Sequence, residues 1–158
     1  MKPRLNYDSA PGVLKAMLSL SAYVHNHSGL DNALLNLVYM RASQINHCAY
    51  CLDMHWKDAR ASGETEQRLY SLEAWRETPY YTDRERAALA WTEAVTNVTE
   101  GFVPEAVYEE VRPHFTDAEL ASLTLAIVSI NGWNRLNVAF RTVPGTYQVP
   151  EAATAHRA

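Results

Sequence analysis

Apolar residues recur every three to four positions along almost the whole chain. No run alternates apolar and polar with β-branched enrichment, so strands are not expected. Val13, Leu14, Met17, Leu18 and Leu20 predict a first helix from Pro11 to about Val24, with Asn26–Gly29 as its break. Leu34, Leu35, Val38 and Ile45 mark a second helix, roughly Asn32 to Asn46, with Asp31 as its N-cap. A third runs from about Cys48 to Ala61 and stops at Gly63. Thr65–Trp75 reads as a short fourth, and His25 and His27 read as loop residues. Thr82 and Glu85 form a capping-box pattern that opens a fifth helix to about Val98. Pro104 is expected near the first position of a sixth, which Pro113 ends. Thr116 caps the last and longest, running to about Phe140.

The fold expected is therefore all-α. The last helix carries Leu120, Leu123, Leu125, Ala126, Ile127, Val128 and Ile130 around most of its circumference. A helix apolar all round is buried on all sides, either at the centre of a bundle or against another subunit. With 158 residues and no long linker, one helical domain over residues 1–145 is expected, followed by a tail over 146–158.

Charge narrows the function classes. A net charge of −4 argues against a nucleic-acid module and against a polybasic membrane anchor. The first residues carry no apolar run of a secretory signal, and no stretch is long and apolar enough to span a bilayer. A cytoplasmic protein is the expectation.

Two cysteines in such a chain do not make a disulfide scaffold. They stand as Cys48-Ala49-Tyr50-Cys51, with His55 four residues on. On a helix, positions three apart have Cα atoms about 5 Å apart, within reach of a disulfide, and His55 returns to the same stripe. A helix start favours an anion, so a thiolate there is stabilised. His55 could accept the thiol proton or support the thiolate. Catalytic thiol chemistry fits this pattern best. Buried small hydrophobes, a zinc site lacking its fourth ligand, and a redox sensor without turnover are the alternatives. No flavin, nicotinamide or phosphate-loop motif is present, so neither a cofactor nor a metal is expected.

The run from Leu34 to His55, with Arg84–Glu93 and Ile130–Asn137, resembles the carboxymuconolactone decarboxylase family and, within it, the alkyl hydroperoxidase D (AhpD) branch. The resemblance covers roughly residues 10 to 145. It implies a single-domain helical bundle assembled as a homotrimer or homohexamer. It also implies reduction of a hydroperoxide by the cysteine pair, with an external dithiol as the partner that restores it. By that resemblance Cys51 attacks the peroxide, Cys48 resolves the sulfenic acid, and His55 belongs to a proton relay. The relay's glutamate position is Asn36 here, an amide that cannot act as a base. Tyr50 stands where some members carry a histidine. Decarboxylase members act on a lactone carboxylic acid, so a lyase acting on a small carboxylic acid is the alternative activity. A non-catalytic thiol sensor or metal-binding protein is the alternative of another class.

Overall fold

The computed structural model describes residues 2–150 and, within them, is built of helices and turns with no strand. Seven α-helices follow in chain order: α1 Pro11–His27, α2 Asn32–Ile45, α3 Ala49–Ala61, α4 Glu66–Tyr70, α5 Asp83–Thr96, α6 Glu105–Val111 and α7 Asp117–Phe140. Helix α7 packs against α1, α2, α3 and α5, and α2 packs against both α3 and α5. The all-α expectation holds.

Local chemistry sets most of the boundaries. Asp31 accepts the Leu34 N–H and opens α2. Both predicted capping boxes are present, Thr82 with Glu85 on α5 and Thr116 with Glu119 on α7. Several boundaries differ from expectation. Helix α1 continues one turn beyond Val24 and ends before Gly29, which takes φ 71°. His25 and His27 are therefore helical rather than loop residues. The fourth segment splits: α4 stops at Tyr70, and a 3₁₀ stretch over Leu72–Glu77 kinks at Ala74. Helix α5 ends at Thr96, short of Val98. Pro104 caps α6 from outside rather than occupying its first turn.

Two cores share α2. Leu34, Leu35 and Val38 face Ala88, Leu123 and Ile127. Leu37 and Met40 face Leu69, Leu72 and Leu89 on the other side. Spacing of three to four apolar residues on both faces of one helix produces this sharing. The last helix is central but not enclosed: Val128 is 51% exposed. The expectation that α7 is buried on all sides fails within one protomer, because α1 covers only part of its outer face. Helix α1 itself buries only Val24 and exposes Val13, Leu18 and Tyr23.

Both ends of the described chain are tied down. Arg4 N–H donates to the Phe140 carbonyl at 2.8 Å, and the Tyr7 ring meets Phe140 edge-on. Gly145 N–H donates to Asp53, Lys57 to the Tyr147 carbonyl, and the Tyr147 hydroxyl to Asp58 at 2.7 Å. The first residues of the expected tail thus pack on α3, and residues 151–158 lie outside the described residues. No helix among the described residues is long and apolar enough to cross a membrane.

Candidate active site

The cysteine pair sits at a chain reversal between α2 and α3. His47 takes φ 53°, a left-handed conformation that costs an L-residue roughly 1–2 kcal/mol. Its N–H donates to the Gln44 carbonyl, and the Cys48 N–H donates to Ser43 at 3.0 Å. Those two bonds are a Schellman motif, which satisfies carbonyls at the end of α2. Cys48 then serves as the N-cap residue of α3, with extended φ and ψ. The expectation that both cysteines lie inside the helix is corrected here: only Cys51 does, in the first turn of α3. Cys48 is 1% exposed and Cys51 0%.

Asparagines of α7 hold this reversal in place. Asn131, Asn134 and Asn137 form a slanted stripe on its inner side. Asn46, the last residue before the left-handed turn, donates to Asn131 and Asn134, each at 3.0 Å. Asn134 donates to Ser43, and Asn131 to Thr96. Asn137 donates its Nδ2–H to Cys51 Sγ at 3.4 Å and accepts from the Tyr7 hydroxyl. Sequence reasoning did not assign a role to these amides. Their signal was three asparagines at steps of three in the second half of the last helix.

The two thiols differ in acidity. Cys48 is lowered to about 7, because the Cys51 thiol hydrogen-bonds its sulfur and nearby backbone N–H groups favour the anion against the effect of burial. No side-chain capping bond forms, so the thiol contact dominates. Cys51 is raised, first by the hydrogen bond it gives to Cys48 and then by burial. The pair therefore shares one proton, and the first negative charge rests on Cys48.

His55 lies one turn beyond Cys51, 8% exposed, with its ring against Tyr39 at 4.9 Å between centroids. Burial lowers its pKa to about 4, so it is neutral at physiological pH. Nε2 is buried and has no hydrogen-bond partner among the described residues. Burial disfavours a cationic His55 equally, whether it would pair with a thiolate or accept the thiol proton.

A cavity of about 460 Å³ opens over this site. Its polar lining includes Cys51, His55, Tyr50 and Asn137, and its apolar lining includes Leu14, Leu18, Met54, Ile130 and Trp133. His25 of α1 also reaches it. Cys48 does not line the cavity; it lies behind Cys51. Asn36 does not line it either. That residue is half-buried on α2, one turn before Tyr39, and makes no hydrogen bond to either cysteine or to His55. Among the described residues, no three His, Cys, Asp or Glu side chains converge as metal ligands.

Fold and site together define an all-helical protein with a buried dithiol beneath an apolar cavity. The chain belongs to the carboxymuconolactone decarboxylase family, whose model matches residues 11–94. It is 41% identical over 133 residues to the uncharacterized protein YdfG of Bacillus subtilis, covering 84% of this chain and 90% of that one. A crystal structure from Agrobacterium tumefaciens, of a protein of unknown function suggested to be the antioxidant defence protein AhpD, superposes with a TM-score of 0.89. It shares 43% identity and covers 92% of this chain and all of that one. The debrominase Bmp8 shares the fold at a TM-score of 0.76 and 19% identity, over 94% of this chain and 76% of that one. Membership of the family and likeness to its AhpD branch agree with the resemblance read from the sequence.

Proposed function

We propose that this protein is a thiol-dependent peroxidase that reduces organic hydroperoxides through Cys51 and Cys48. One observation carries the reading: Cys51 meets the cavity while Cys48 waits behind it in hydrogen-bonding contact. The cavity's apolar walls suit the organic group of the substrate, and His55 is among the polar residues that line it with Cys51.

The steps follow from the shared proton. Cys51 passes its proton along the S–H···S contact to Cys48, and the Cys51 thiolate attacks the terminal peroxide oxygen. The O–O bond breaks, its electron pair leaves with the organic oxygen, and that alkoxide takes from solvent the proton released when the pair first ionised, giving the alcohol. Cys51 is now a sulfenic acid. The Cys48 thiol condenses with it, forming the disulfide and releasing water. An external dithiol attacks Cys51 Sγ from the cavity side and expels Cys48, the better leaving group because its thiol is the more acidic. Proton transfer within the pair replaces the relay that Asn36 cannot supply.

The lyase alternative lacks support from this cavity. A carboxylic acid substrate calls for a cation, and no Lys or Arg is among the lining residues. The proposal extends to a cytoplasmic homotrimer or homohexamer, consistent with the apolar residues exposed on α1 and α7.

The test is steady-state consumption of cumene hydroperoxide with a panel of dithiols. Cys51→Ser is expected to abolish it. Cys48→Ser is expected to slow the first attack, because the proton acceptor is gone, and after one turnover to leave a trapped sulfenic acid on Cys51. No consumption with any donor would overturn the proposal.

A further inference from the structure

A thiolate on Cys51 needs a donor that stays with it. The titratable groups lining the cavity are Tyr7, His25, Tyr39, Tyr50, Cys51 and His55. None is Lys or Arg. His25 is exposed on α1, and His55 is neutral. Burial pushes Tyr7, Tyr39 and Tyr50 up, so they hold their protons. The neighbour Cys48 carries the first negative charge of the pair and repels a second. No cation therefore meets the sulfur within the cavity.

Neutral amides do meet it. Asn137 is 7% exposed and donates to Cys51 Sγ at 3.4 Å, an ordinary length for an N–H···S contact. The Tyr7 hydroxyl donates to its Oδ1, which turns Nδ2 toward the sulfur. Asn134, fully buried, is fixed by Asn46 and Ser43 and also faces both sulfurs. These side chains come from α7, more than 80 residues from the cysteine motif in sequence.

We propose that Asn137 is a catalytic residue, its amide N–H being the fixed donor that carries the negative charge on the Cys51 sulfur during attack. The attack itself rests on the peroxidase reading; the donation to sulfur does not. A fixed dipole aimed at developing charge in a water-poor site needs no reorganisation at the moment of reaction. Asn134 acts beside it as a positioning residue, holding the cysteine reversal against α7.

The experiment uses the full chain with Cys48→Ser, which leaves Cys51 as the single thiol. Alkylation of Cys51 by iodoacetamide is followed by intact mass as a function of pH. Hydrogen bonds to charged groups are strong enough that removing one changes ionisation by about tenfold or more. Asn137→Ala is expected to raise the alkylation midpoint by about one pH unit and to slow the reaction at pH 7 about tenfold. Asn137→Asp keeps the shape and is expected to raise the midpoint further, since a carboxylate repels the thiolate. A thermal melt of each variant accompanies the titration; a merely structural role would lower the melt and leave the midpoint where it was. An unmoved midpoint in either folded variant overturns the proposal. If the midpoint moves but the parent protein consumes no hydroperoxide, Asn137 stands as the donor to sulfur and only the peroxide chemistry falls. If the parent turns over and the midpoint stays, the peroxidase reading stands and Asn137 has no part in it.

Discussion

The two sides of α2 stabilise their surroundings by opposite means. On the side of α4 and α5, Glu93 accepts from Arg41 and from Trp75 Nε1, each at 2.8 Å, and from Arg76. Arg68 joins Glu85 and Glu64 and donates to the Tyr80 carbonyl. Burial alone would raise the Glu93 carboxyl, but the Trp75 and Arg76 hydrogen bonds outweigh it and hold the group below its ordinary value. On the side of α3 and α7, the polar groups beside the thiols are neutral: buried Ser43, His55, Asn134 and Asn137, with half-buried Asn46. The reason lies in what each region must tolerate. An ion pair serves a region whose charge never changes. On the proposed chemistry the dithiol alternates between a thiolate and a neutral disulfide, and a fixed buried cation would be left unpaired after each oxidation. An amide loses one weak hydrogen bond instead.

That contrast can be broken at several points. The largest effect expected is at His55. Between pH 6.5 and about 4 the unfolded chain binds a proton on this histidine and the folded chain does not. Stability is therefore lost as pH falls through that window, by about 3 kcal/mol at the lower end. Urea unfolding at pH 7 and pH 4.5, compared between the parent and His55→Phe, isolates this from the carboxylates. Equal losses in both proteins would show that charge is admitted beside the thiols.

Next is Glu93→Ala, which takes the acceptor from Arg41 Nε–H and from the Trp75 indole N–H, while Arg41 keeps its bond to Gln44. A loss of about 2 kcal/mol is expected, less than for a fully buried pair because Arg76 is exposed. Cys51 alkylation in the folded protein should be unchanged. A displaced alkylation profile would mean that the two regions are coupled through α2.

A smaller effect is expected from the thiols themselves. Cys48 is lowered to about 7, so the reduced protein gains stability as pH rises from about 7 toward the ordinary thiol range and loses it as pH falls back through 7. Above that range the trend reverses, because the unfolded chain ionises Cys51 while the folded one resists. Cys48→Ser should flatten the rise, which amounts to about 1 kcal/mol because the unfolded chain begins to ionise Cys51 over the same range. Denaturant midpoints from pH 6 to 10 under reducing conditions report it directly.

The smallest is His47→Gly. Glycine removes the left-handed penalty but adds unfolded-state entropy, for a net gain of about 0.5 kcal/mol. A melting temperature that falls instead would show that the imidazole makes a contribution beyond its backbone conformation.

Much of the fold was legible because its signals are local. Caps at Asp31, Thr82 and Thr116 and the three-to-four spacing of leucines act within one or two turns, so the chain's order of residues determines them. The extent of α1 and the split at Ala74 were not legible, since they depend on what each segment packs against. At the site, the order of residues determined that Cys48, Cys51 and His55 lie close together and that Asn36 is an amide where the resemblance leads one to expect an acid. It could not show that Cys48 stands outside the helix, because that follows from the left-handed turn at His47. Nor could it show which cysteine faces the cavity, or that His55 is neutral. Those depend on desolvation by helices distant in sequence, and above all on α7. Local spacing brought the two sulfurs together; only tertiary packing decided that one meets the cavity, that the other holds the charge, and that an amide from α7 reaches them.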